Sequence, residues 1–99
     1  MGEESVRPVH PGKILLKEFI KPKGISQTQL ALFINVPPRR INEIVLGKRR
    51  ISADTALRLG RYFGTSPHFW LGLQTDYDVC IAQSRIGDSL KRDILAYAM

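Results

Sequence analysis

Ninety-nine residues are one small domain's worth of chain, enough to bury one apolar core and not two. Hydrophobic residues make up 43% and charged residues 24%, too apolar for a disordered chain, and no apolar run approaches the ~20 residues of a membrane span. The formal net charge is +6, and residues 38–62 alone hold seven Lys/Arg against two carboxylates, a local excess that suits a polyanionic partner.

The N-terminal MGEESVRPVHPGK has no apolar h-region, so no secretory signal is expected. Proline and glycine punctuate the rest of the chain, and between them the apolar period is that of a helix; no stretch alternates as a strand does. A first helix is expected over 12–20, with Ile14, Leu15 and Phe19 inward and Lys13, Lys17 and Glu18 in water. A second begins at Ser26, which with Gln29 three residues on forms a capping box; Leu30, Ala31 and Ile34 share its inner face. It ends at Asn35, a residue that tolerates the left-handed conformation of a sharp turn. A third opens at Pro38, buries Ile41, Ile44 and Val45, and is capped by Gly47.

The fourth helix starts from Ser52 with Asp54 in its first turn, is expected to bury Ala56, Leu57 and Phe63, and stops at Gly64. The fifth enters at Ser66-Pro67, carries Phe69, Trp70 and Leu73, and extends through Tyr77 and Ile81 as far as Arg85. After the breaker Gly87, a last helical segment is expected over 88–98. The fold class is therefore all-α, five to six helices in a single domain over 1–99, with a C-terminal extension over 78–99.

Catalytic chemistry has no foothold. His10 and His68 stand beside prolines at helix entrances, with no partner at ligand spacing, so no metal site is expected. Asp76 and Asp78, two apart on a helix, face away from each other. Cys80 is the single cysteine and sits between Val79 and Ile81; it forms no intramolecular disulfide and reads as a small buried hydrophobe. No cofactor and no enzymatic activity are expected.

The informative unit is 27–46. Two short helices joined by Asn35-Val36-Pro37 must cross steeply, as in a helix-turn-helix, and the small Ala31 lets the second approach the first. The second helix then presents Pro38, Arg39, Arg40, Asn42 and Glu43 outward. Arg pairs with guanine, Asn with adenine, and Glu accepts from cytosine, so these five are the candidate base readers. Glu43 can equally pair with Arg39 one turn away. Gln27 and Thr28 on one flank and Lys48, Arg49 and Arg50 on the other are the candidate phosphate contacts. The C-terminal third carries more apolar residues than one helix can bury, and Tyr77 and Ile81 are the candidates for a dimer interface.

The stretch 27–46 resembles the helix-turn-helix of the phage-repressor-like, or XRE, superfamily, whose core positions match Leu30, Ala31, Ile34, Ile41 and Ile44. It departs from that pattern at Asn35, where Gly is usual, and at Pro37-Pro38, which makes Pro38 a shape contact. Over 8–78, HPGKILLKEFIKPKGIS and VPPRRINEIVLGKRRISADTALRLGRYFGTSPHFWLGLQTDYD are similar to the HigA-type, VapI-like addiction-module antitoxins. The resemblance implies a lambda-repressor-like fold. It also implies a bacterial cytoplasmic homodimer that binds a palindromic operator, represses its own operon, and neutralises a RelE-like ribonuclease toxin. A sequence-specific repressor without a toxin partner fits the same residues.

Overall fold

The structure, a computed structural model, describes residues 8–98. Among them there is no strand; five helices succeed one another along the chain. α1 (Pro11–Ile14) is opened by His10, whose Nδ1 accepts the Gly12 N–H at 2.9 Å in the place a Ser or Asp hydroxyl or carboxylate usually fills. It runs without a break into a π-helical stretch (Leu15–Ile20), where the Lys21 N–H reaches back five residues to the Leu16 carbonyl at 3.0 Å. The wider turn brings Leu15 and Ile20 to the core together, while Ile14 is only half-buried.

α2 (Gln27–Phe33) starts in the capping box expected of it: Ser26 Oγ accepts the Gln29 N–H at 3.0 Å, and Gln29 Oε1 accepts the Ser26 N–H at 2.8 Å. Its end is a Schellman turn, with Asn35 at φ +60° and the Val36 N–H bonded to the Ala31 carbonyl at 3.0 Å. α3 (Pro38–Val45) closes in the same way on Gly47, the Lys48 N–H reaching the Glu43 carbonyl at 2.8 Å. α4 (Ala53–Phe63) is capped by Ser52 and ends at Gly64 in the left-handed conformation.

One core joins these elements. Leu15, Leu30, Ala31, Ile41, Ile44, Ile51, Ala56, Leu59 and Trp70 are fully buried, and Phe19 meets Trp70 and Phe63 at ring-centroid distances of 4.7 and 5.0 Å. Burying a side chain of this size is worth about 1.5–3 kcal/mol, which is what holds helices too short to stand alone. α1 lies directly on α3: a Cβ at Gly12 would overlap the Ile44 carbonyl.

Leu57, expected inside, is 61% exposed. The stripe that α4 buries runs Ala56, Leu59, Gly60, Phe63, and Leu57 falls beside it, lining a shallow groove with Phe33 and Tyr62. Gly87 is not a breaker. α5 (Pro67–Asp93) passes through it as one 27-residue helix, because an isolated helical glycine costs only about 1 kcal/mol. Among the described residues no sixth helix follows: Ile94 turns extended, and the residues from there through Ala98 are exposed. The radius of gyration is 16.6 Å, against about 13 Å for a compact chain of this length; the excess is the far half of α5.

Candidate nucleic-acid interface

α3 sits with Ile41 and Ile44 buried and its other side in water. On that outer side Arg39 has 84% of its side chain exposed, and its Nε donates to Glu43 Oε2 at 2.9 Å. Arg49, from the loop after α3, donates to the other Glu43 oxygen, also at 2.9 Å. Glu43 is thus a clasp between two guanidiniums, each of which keeps its terminal N–H groups for something else. The hydrogen bonds from Arg39 and then Arg49 hold the Glu43 carboxyl below its ordinary range. Of the two roles open to Glu43, pairing with Arg39 is the one the structure shows.

Asn42 Nδ2 donates to Gln27 Oε1 at 3.3 Å, so the first residue of α2 and the middle of α3 stand side by side. Thr28 and Lys48 are exposed on either flank, and Pro38 is exposed at the start of α3. Arg50 pairs with Asp78 of α5 at 2.8 Å. Burial pushes the Asp78 carboxyl up, but the Gln74 amide and Arg50 outweigh it, and the net direction is down. Of the ten sequence-predicted DNA contacts, Arg39, Glu43 and Arg49 are thus bonded together, Asn42 and Gln27 are bonded to each other, and Pro38, Thr28 and Lys48 stand exposed on the same helices and loop.

Arg40 differs from the rest. Only 28% of its side chain is exposed, and it is bound to Asp54 at the start of α4 at 2.6 Å. Arg58 donates to the same carboxylate at 3.0 Å and to the carbonyls of Ile34 and Asn35 at 3.0 and 3.2 Å. Asp54, held below its usual range by Arg58 and then Arg40, is the knot that ties α4 to the turn and to α3. Sequence spacing missed these positioning roles. Arg40 and Asp54 are 14 residues apart, Arg58 and Ile34 are 24 apart, and no local signal links them.

The dimer candidates lie elsewhere. Tyr77 is half-buried and edge-on to His10, with ring centroids 4.9 Å apart; Ile81 is half-buried one turn further along α5. Cys80 lines a small cleft with Val9, Ile14 and Tyr77. Among the described residues no cluster of His, Cys, Asp and Glu could hold a metal ion, and no helix is long and apolar enough to cross a membrane.

The family model described as Helix-turn-helix matches residues 16–70. Virulence-associated protein I of Dichelobacter nodosus is 50% identical over 82 residues, which is 83% of this chain and 76% of that protein. A solved Pseudomonas aeruginosa antitoxin HigA with the higBA promoter is 42% identical, covers 93% of this chain and 100% of its own, and superposes with a TM-score of 0.89. An addiction-module antidote protein of a HigA family from Coxiella burnetii gives the same identity, coverage and TM-score.

Proposed function

This chain belongs to the HTH_3 helix-turn-helix family, alongside HigA antitoxins and virulence-associated protein I, and from that membership we propose that it is a DNA-binding antitoxin that represses its own promoter. It is not an enzyme. The observation that carries the reading is the outward face of α3. Its cationic and amide side chains stand in water beside a basic loop while its apolar face is locked in the core. The relative solved with its promoter has the same fold.

In this reading, Arg39 and Asn42 reach base edges in the major groove first, because they are the exposed members of the set whose side chains carry hydrogen-bond donors. Pro38 shapes the contact. Arg40 and Glu43 hold the others in the free protein and complete the base-reading set once their internal partners yield to DNA. Gln27, Thr28, Lys48, Arg49 and Arg50 take the phosphates on either side. One recognition helix covers only a few base pairs, so the protein acts as a homodimer on a palindromic operator with half-sites about 34 Å apart. Its second partner is a RelE-like ribonuclease toxin, and both meet it in the cytoplasm.

Titration of the protein on its own upstream region tests this. Arg39→Ala or Asn42→Ala should cost about 1–3 kcal/mol on the cognate operator and little on random duplex. Arg49→Ala should weaken both and lower the salt slope by about one unit. Equal losses on both targets for Arg39→Ala would remove base reading from α3. Co-expression with the neighbouring open reading frame tests the toxin, which should be lethal alone and harmless beside this protein.

A further inference from the structure

The groove that Leu57 lines lies open between the end of α2 and the outer side of α4. Leu57 and Arg61 stand one turn apart on α4, and Arg58 and Tyr62 form a second row beside them. Phe33, Ile34 and Asn35 make the facing wall. The Phe33 and Tyr62 rings stack on each other from the two walls, with centroids 5.6 Å apart and planes 23° from parallel. Phe33 is 50% exposed and Tyr62 40%, so apolar side chains gather here that the described chain leaves in water. The space they enclose is about 480 Å³, within the ~300–1,000 Å³ of small-molecule clefts. Seven residues line it, where a stable protein partner would engage about 20–30.

Charge narrows what fits. None of the seven lining residues is a carboxylate. The Arg58 charge is met by Asp54 at 3.0 Å, and its Nη1 covers the Ile34 and Asn35 carbonyls, so the end of α2 does not turn bare oxygens on the groove. Arg61 is exposed and, among the described residues, has neither an ion pair nor a hydrogen bond. The groove therefore offers apolar walls and one uncompensated guanidinium, whose planar fork suits a carboxylate. We infer that it is a binding site for a small apolar monocarboxylate, an aryl or short alkyl acid. The apolar body lies against Leu57, Phe33 and Tyr62, and Arg61 holds the carboxylate. A neutral ligand would leave the guanidinium unmatched, and a polyanion such as a nucleotide brings more charge than one free arginine answers.

Occupancy acts on the elbow. Ile34 and Asn35, which wall the groove, are also where α2 turns toward α3, and Arg58 bonds both of their carbonyls. A ligand seated between that wall and α4 holds the two at their present spacing, and so favours the arrangement in which α3 is presented outward. Operator DNA, which selects that arrangement too, should then bind more tightly with the groove filled, and the acid more tightly in the presence of operator. This consequence rests on reading the protein as an operator binder; the site itself does not.

Titration of the labelled full-length protein with 4-phenylbutyrate, followed by NMR, reads the site. The Leu57 methyl and Tyr62 ring signals should shift together with a Kd of about 1–3 mM, as expected of about twelve non-hydrogen atoms at ordinary ligand efficiency. The neutral 4-phenylbutanol should bind about threefold weaker, and acetate should leave these signals in place. Arg61→Gln should bring the acid down to the affinity of the alcohol without changing the alcohol, and Leu57→Glu should lose both. No shift at Leu57 and Tyr62 overturns the proposal, as does an acid bound no better than the alcohol, or an Arg61→Gln protein that still tells them apart. Signals of these residues that move on dilution of the protein alone would give the groove to a second copy and also overturn it. If Leu57→Glu does not fold, the comparison of wild type with Arg61→Gln decides. On the upstream region, saturating acid should tighten binding about fivefold over an equal concentration of acetate. An unchanged affinity with the groove filled overturns the action on the elbow. The operator reading fails separately: a protein that binds no upstream DNA but gives the expected shifts would sink that reading and leave the site standing.

Discussion

The recognition region and the far half of α5 are both helical, both largely exposed, and held by opposite means. Around α3 the charged side chains are cross-braced: Arg39 and Arg49 on Glu43, Arg40 and Arg58 on Asp54, Asn42 on Gln27, Arg50 on Asp78. Beyond Ile81 α5 has its own backbone and two serine hydroxyls bonded within a turn. The contrast separates side chains ordered by partners within the chain from side chains that stand largely in water. Exposed ion pairs are each worth little, about 0–1 kcal/mol, so the bracing around α3 orders side chains more than it stabilises the fold.

The contrast fails if the two halves respond alike to truncation, and the largest expected difference is in the core. Trp70→Ala should lower unfolding free energy by about 3–5 kcal/mol in denaturant melts followed by circular dichroism. Ile86→Ala, measured where the protein is monomeric, should stay within about 0.5 kcal/mol of wild type. A loss of several kcal/mol at Ile86 would mean that the far half of α5 contributes to the monomer's own core.

Two glycines probe it more finely. Gly12→Ala forces a methyl into the Ile44 carbonyl and should destabilise by about 1–3 kcal/mol, displacing α3 and weakening operator binding as well. Gly87→Ala should stabilise the monomer by about 0.5–1 kcal/mol, since nothing there opposes a side chain and alanine favours helix. Equal effects at both would erase the distinction.

The smallest effect is one of pH. Burial pushes the His10 imidazole below its ordinary pKa, against the upward pull of Asp78, and Nδ1 must be unprotonated to accept the Gly12 N–H. The unfolded chain, titrating near 6.5, therefore takes up protons first, so His10's contribution is present above that pH and is lost as pH falls below it. The depressed carboxyls of Glu43, Asp54 and Asp78 behave in the same sense but in a lower window, losing their contribution only below about pH 4. Melts between pH 7 and pH 5 should show a shallow fall that His10→Ala removes; a rise on acidification would contradict the cap.

Legibility from sequence divides along the same line. The Ser26–Gln29 box, the left-handed Asn35, Pro38 at a helix start and Gly64 at a helix end are all decided within four residues, and each is found where local chemistry places it. The outward face of α3 is legible because its inward residues repeat with the helical period. Leu57 is misplaced by sequence because hydrophobicity alone does not say which side of the stripe a residue occupies. Gly87 is misplaced because a glycine reads as punctuation unless the helix around it is long enough to carry it. The π-helical stretch and the Arg40–Asp54–Arg58 knot depend on tertiary neighbours that no window of sequence contains.

Arg58 does more than share a carboxylate. Its guanidinium ties the carbonyls of Ile34 and Asn35 to α4, so the elbow between α2 and α3 is clamped from outside its own residues. A graft that transplanted only 27–46 onto another scaffold would carry the letters of the reading head without its strut. The portable cassette runs from Ser26 to Arg58.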